Sequence, residues 1–312
     1  LTNSTFFTPD NASKFLNHES TWDWLITSTK GEEARASWCA DCLPNVSHIK
    51  ICREKHDKPH RFNVTQGSET TSVSWADLSL LLSKYIKPSD NILIDITMLG
   101  FEAMLYLIPA ISKLKPKELH AIYAVPKNYT FTEDGDSHLD LQPIEQPKGY
   151  ATLTGEVDRQ ESLHILLLGF DKGRPWKFIE KYDWDNKHIH LIIGSPSFVE
   201  RGVEHALKSC EPWIDRFQDK YQDHVHHIAA HDIVQLSTFL ASCLEGSQWL
   251  DIVPLGPKPM LLGVLGFYLG LDPEVRARVR ILYDFPEQHQ PRSTDVDGIW
   301  LYNCNHFISN HL

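Results

Sequence analysis

Short, continuous apolar runs alternate with stretches of helical periodicity along most of this chain. Residues 91–96, 120–125, 163–168, 188–193, 224–229, 249–253 and 279–285 read as strands, with 299–303 as a further one. Between them, 78–85, 101–114, the segments beginning near 175 and 198, 233–240 and the apolar stretch running to about Gly270 carry the spacing of helices. Strands this uniformly apolar have no wet face, which predicts parallel sheets covered on both sides by helices. Residues 1–37, with Trp22, Trp24, Leu25 and Ile26 followed by a charged run from Lys30 to Arg35, predict an amphipathic helical segment, and Ile49 and Ile51 alternate as in a strand. From Tyr129 to about Gln160 the pattern weakens into turns, with a hairpin and a strand at 150–153 expected there.

One element recurs. A shift of about 156 residues superposes Asp95 on Asp251, Ile96 on Ile252, Leu99 on Leu255, Gly100 on Gly256, Met104 on Met260 and Leu105 on Leu261. Each copy is a short strand, a glycine-containing turn and an apolar helix. The repeat and the length of 312 residues predict two tandem Rossmann-like α/β domains with mostly parallel sheets, 1–158 with the N-terminal helical segment and 159–312.

Such sheets bind ligands beyond the carboxyl ends of their strands, where the strand order reverses. In the second half the loops at that edge are 169–174, 194–197 and 254–259. They offer Gly169, Gly173 and Gly256 for close backbone approach, Ser195 and Ser197 as hydroxyls at a helix start, and Lys172, Arg174 and Lys258 as cations. With helix N-termini adding N–H groups and a favourable dipole, this chemistry suits phosphate. The same residues also serve as ordinary turn formers, helix caps and solvated charges, and the dinucleotide and P-loop fingerprints are incomplete. The earlier copy gains a hydroxyl at Thr97 but carries Glu102 in place of Lys258, a residue that suits the dipole and repels phosphate. Ligand contact is therefore expected mainly from the second half.

Cys39, Cys42, His48 and Cys52 have the residue types of a tetrahedral zinc site, in a spacing near that of a zinc knuckle. The alternative is that Cys52 packs on a strand face and the first pair sits in a turn. His224, His226, His227 and His231 lie close together, yet on a strand His227 faces away from His224 and His226, so they read as a partly exposed edge. Asp95 and Asp251 have the acidity of general bases, although an aspartate at a strand end also fixes the following turn.

Composition narrows the function classes. With 42% hydrophobic and 23% charged residues the chain can bury a sizeable core. A net charge of -11 argues against an extended nucleic-acid surface, which would need clustered Lys and Arg, while leaving room for a local basic pocket. No apolar run reaches the eighteen or so residues of a membrane span, and the first residues lack the basic-then-apolar order of a signal peptide. Six cysteines, several inside apolar patterns, favour reduced thiols and a cytoplasmic setting; glycosylation-type triplets at Asn3, Asn11, Asn45, Asn63 and Asn128 point the other way.

Asp95-Ile96-Thr97 followed by Gly100, and Leu255-Gly256-Pro257-Lys258, each resemble part of the strand-end motif of the CRISPR-associated Rossmann-fold (CARF) sensors and the related fused-pair SAVED domains. Neither copy has the family's paired glycines, and the earlier one lacks its lysine. The resemblance implies a ligand-sensing module that binds a cyclic or linear oligonucleotide signal in prokaryotic antiviral defence, acting with a protein partner or effector. Two further readings stand beside it: an enzyme acting on a nucleotide or nucleoside, with Asp251 or Asp95 as base and Lys258 on phosphate, and a structural partner subunit without a small ligand.

Overall fold

The computed structural model describes residues 3–18, 21–28, 34–54, 60–130, 139–140, 147–148, 162–211, 213–284, 287–288 and 293–309. In chain order the elements are β1 (Ser4–Phe7), α1 (Pro9–His18), β2 (Trp24–Ser28), α2 (Trp38–Cys42), β3 (Ser47–Arg53), β4 (Arg61–Gln66), β5 (Glu69–Ser74), α3 (Leu78–Leu82), β6 (Asn91–Asp95), α4 (Phe101–Ser112), β7 (Glu118–Tyr129) and β8 (Leu139–Asp140). They continue with β9 (Ser162–Leu167), α5 (Arg174–Tyr182), β10 (Ile189–Gly194), α6 (Gly202–Lys208), α7 (Trp213–Tyr221), β11 (Val225–Ile228), α8 (Ile233–Glu245), β12 (Trp249–Pro254) and α9 (Lys258–Gly270). The last are α10 (Pro273–Arg276), β13 (Val279–Ile281), β14 (Glu287–Gln288), β15 (Ser293–Asn303) and α11 (His306–Ser309). The chain forms two units, one from Leu1–Tyr129 with Ser293–Leu312 and the other from Thr130–Arg292.

The first unit holds an eight-stranded sheet in the order β1-β15-β7-β6-β2-β3-β4-β5. Its centre, β7-β6-β2-β3, is parallel, and the flanking pairs are antiparallel. The flanks follow from local chemistry: Gly67 at φ 59 turns β4 tightly into β5, and a connection that short can only join antiparallel strands. On one face Ala12 and Leu16 of α1, and Cys39 and Leu43 at α2, pack on Leu25, Leu93, Ile122, Ala124 and Ile299. By alternation Ile26, Ile92 and Ile94 point to the other face.

Two sequence expectations change here. Trp24, Leu25 and Ile26 belong to a central strand rather than a helix. Leu25 and Ile26 are both buried, one on each face of a sheet in which β2 pairs with β3 and β6, and that two-sided burial outweighs a short helical pattern. The strand expected at 299–303 is longer and returns to the first unit, where β15 runs antiparallel between β7 and β1. The second unit is thus an insertion between β7 and β15, not a tandem half beginning near residue 158. Residue 158 and the strand expected at 150–153 lie outside the described residues.

The second unit has a five-stranded, wholly parallel sheet in the order β11-β10-β9-β12-β13, with β8 and β14 as a separate short antiparallel pair. From β9 the chain steps outward through β10 to β11, then returns to add β12 and β13 on the other side. The order therefore reverses between β9 and β12. In the first unit it reverses between β2 and β6. Both copies of the repeated element, β6 with α4 and β12 with α9, occupy the equivalent place: the strand beside the reversal and its following helix. Both helices are buried nearly end to end, which explains their unbroken apolar sequence.

Candidate functional site

The reversal in the second unit brings together the loops after β9 and β12. A side chain at Gly169 would overlap the Leu255 carbonyl oxygen, and a Cβ at Gly256 would sit 3.1 Å from the Met260 sulfur and 3.4 Å from the Leu168 carbonyl oxygen. These glycines let the two loops pack backbone to backbone. Leu255 N–H donates to Leu167 at 3.0 Å and fixes the register of the contact. Lys172 is exposed on the first loop and Lys258 partly exposed at the first position of α9. The residue capping α9 is Pro257, which has no side-chain group to bond the helix's first N–H groups.

Arg174 lies at the same edge but faces inward. It is 4% exposed, and its Nε donates to both oxygens of Asp284, at 3.0 and 3.1 Å. Its Nη1 is 3.5 Å from Asp171, and the guanidinium lies 4.9 Å from the Tyr283 ring centroid. Burial works against its charge, but Tyr283, Asp284 and Asp171 outweigh burial and raise its pKa above the ordinary arginine value. Burial likewise pushes the Tyr283 phenol up to about 12. Asp284 follows β13, so this pair ties the start of α5 to the segment after β13 and commits the guanidinium to the protein's own carboxylates.

The loop after β10 is held to β11. Ser195 N–H donates to Ile228 at 2.8 Å and the Pro196 carbonyl accepts from Ala230 N–H at 3.0 Å, across a cis Ser195–Pro196 peptide. Ser197 Oγ accepts from Val199 N–H at 3.4 Å and lies so close to Gly202 that any side chain there would collide with it. Ser195 and Ser197 both remain partly exposed.

In the first unit the equivalent edge is closed by its own side chains. Asp95 accepts from Thr97 N–H at 2.9 Å, the turn-fixing role open to an aspartate at a strand end, and Thr97 Oγ1 accepts from Ala124 N–H at 3.0 Å. Thr97 is thus buried as a brace between the turn and β7. Glu102 meets Arg53 Nε at 2.7 Å and His60 Nδ1 at 3.0 Å, with the Tyr106 hydroxyl 3.2 Å from the same imidazole nitrogen. Its negative charge is answered within the unit.

Asp251 differs from its repeat partner. It lies inside β12, 1% exposed, where its carboxylate accepts from Arg280 Nε and Nη2 at 2.7 Å each and meets His164 Nδ1 at 3.0 Å. Burial alone would raise its pKa, but the hydrogen bonds from His164 and Arg280 prevail and lower it. His164 in turn stacks on Trp184 at 4.1 Å. Register places His164, Asp251 and Arg280 side by side on β9, β12 and β13, an alignment that spacing along the chain does not reveal.

The four proposed zinc ligands are divided among different surroundings. Cys39 is buried within α2, where burial first and Asp95 second raise its pKa and favour the thiol over the thiolate a metal needs. Cys42 is raised by burial as well. His48 Nε2 is 3.0 Å from the Leu43 carbonyl oxygen, and Cys52 sits on β3. Among the described residues, no three His, Cys, Asp or Glu side chains form a group that could hold a metal ion, and the six cysteines are free thiols.

The sequence reading also missed an imidazole cluster. His224 and His226 meet His190 of the neighbouring strand, beside a cavity of about 740 Å³ at the amino-terminal end of the sheet, lined in part by His188, His190, Cys243, Glu245 and Arg278. Arg278 there donates to the carbonyls of Leu244, Ser247 and Gln248 and so caps the end of α8.

Comparison with known protein families, curated proteins and solved structures gives no match. No helix among the described residues is long and apolar enough to cross a membrane.

Proposed function

We propose that the second unit binds a phosphate-bearing, nucleotide-type ligand at the carboxyl edge of its sheet, and that the chain is a ligand-sensing or recognition module. The observation that carries this reading is the reversal of strand order between β9 and β12, with Lys172 and Lys258 on the two loops that meet there. A phosphate at that point would lie at the positive end of the 13-residue helix α9. Lys258 and Lys172 would neutralise it, and Ser195 and Ser197 would bond the ligand's outer portion. Arg174 holds the edge in shape through Asp284 and contributes no charge to the ligand. An oligonucleotide signal, with the response passed to a protein partner or effector in antiviral defence, is the form of this function that the CARF-like motif fragments favour.

An enzymatic role with Asp251 or Asp95 as base is the weaker reading, because both carboxylates are buried and already accept hydrogen bonds from the protein. The test is a thermal-shift screen of mononucleotides, dinucleotides and cyclic oligonucleotides. Concentration-dependent stabilisation by at least one phosphate-bearing ligand, with none from its nucleoside, supports the proposal; a flat response across the panel rejects it.

A further inference from the structure

Three imidazoles hold the edge strand of the second unit to its neighbour. His190 Nδ1 and His226 Nε2 are 2.8 Å apart, with ring planes within 2° and centroids 5.1 Å apart. That combination places the two rings edge to edge in one plane, joined by a single N–H···N hydrogen bond. His224 stacks face to face on His190 at 4.2 Å, and its Nδ1 lies 3.1 Å from the Ile189 carbonyl, which can only accept, so that nitrogen carries the proton. Phe239 of α8 packs on His226, and Tyr221 and Phe217 of α7 pack on His224.

We infer that His190, His224 and His226 form a proton-operated clasp, which fastens β11 to β10 when neutral and lets the strand go when the cluster takes up more than one proton. The hydrogen bond between the paired rings needs one N–H and one lone pair. A first added proton can reside on an outer nitrogen and leave that bond intact. A second sets N–H against N–H. Strand β11 is four residues long and lies at the edge of the sheet, and among the described residues its ladder is with β10 alone.

The surroundings offer little relief for the added charge. On the cavity side stand His188, Cys243, Glu245 and Arg278, with Glu245 the carboxylate among them; Lys220 lies over Tyr221 behind His224, His227 is on the opposite face of β11, and Asp223 beside His224 in sequence is exposed. Burial first, and then the neighbouring imidazoles, lower His226 and bring His190 down to about 4. The folded state therefore binds fewer protons than the unfolded chain between the ordinary histidine pKa, about 6.5, and pH about 4. The contribution is complete above 6.5 and is lost as pH falls through that window. Because Ser195 and Ala230 tie the loop after β10 to the end of β11, that loop loosens with the strand.

Hydrogen exchange of the intact chain between pH 7.5 and 5.0, corrected for the intrinsic pH dependence of exchange, tests the clasp without any ligand. Protection over 225–228 should fall by at least about tenfold while that over 249–254 holds nearly constant. His226→Gln keeps a hydrogen-bonding partner for His190 and cannot titrate, so it should retain protection at pH 7.5 and lose distinctly less of it by pH 5.0 than the unaltered protein does. Histidine NMR titration of the unaltered protein provides a readout independent of that variant's folding: His190 should stay neutral until the β11 amides open. Unchanged protection of β11 down to pH 5.0, an unaltered pH response in His226→Gln, or His190 charging while β11 stays closed would each overturn the inference.

Discussion

Arg174 and Cys39 show what the fold adds to a residue type read from sequence. Both carry the chemistry sequence spacing assigns them, a cation at a ligand edge and a thiol in a Cys-x-x-Cys pair, but the fold turns both inward. The partner that claims Arg174 is Asp284, far along the chain, and nothing local announces it. Replacing Asp284 with Ala would leave a buried guanidinium with the more distant Asp171 as its carboxylate partner among the described residues. The expected loss is about 3–5 kcal/mol, read from chemical denaturation followed by a probe in the second unit. Replacing the ion pair on both sides, Arg174→Met with Asp284→Leu, should cost much less. For Cys39, burial within α2 predicts that alkylation by iodoacetamide at pH 7.5 is slower than at Cys52, measured by peptide mass spectrometry. Faster labelling of Cys39 would show that α2 opens.

Elements whose burial is complete were the most legible. The strands β6, β9, β10 and β12 are continuous apolar runs because helices or neighbouring strands cover them throughout, and α4 and α9 could be read from their apolar length alone. The short strand β2 was not, since Trp24, Leu25 and Ile26 fit a helical stripe as well as a two-sided strand, and only pairing with β3 and β6 decides between them. The histidine cluster escaped for a related reason: His190 and His226 meet through strand register, 36 residues apart. Close packing between elements makes its own prediction. A Cβ at Gly263 of α9 would stand 3.0 Å from the Ile233 carbonyl oxygen and 3.0 Å from Leu236 Cδ2 of α8. Gly263→Ala should therefore destabilise the protein by about 1–3 kcal/mol despite the better helix propensity of alanine, seen as a lower Tm.

At the scale of the whole chain, the repeated strand-turn-helix element reported something real: in each unit it occupies the position beside the reversal of strand order. It did not report domain organisation, because β15 joins the first unit through long-range pairing with β7 that leaves no local signal. The two copies have diverged in chemistry. In the first unit Glu102 meets Arg53 and His60 and Thr97 accepts from Ala124, whereas in the second Lys172 and Lys258 stand on the two loops that meet at Gly169 and Leu255. On that contrast we propose the ligand site for the second unit. Isothermal titration of the best ligand from the nucleotide screen, against wild type, Lys258→Ala, Lys172→Ala and the exposed first-unit control Lys84→Ala, tests this most directly. The account predicts that Lys258→Ala weakens binding by about tenfold or more, that Lys172→Ala weakens it less, and that Lys84→Ala leaves it unchanged. Equal affinity in wild type and Lys258→Ala would contradict it.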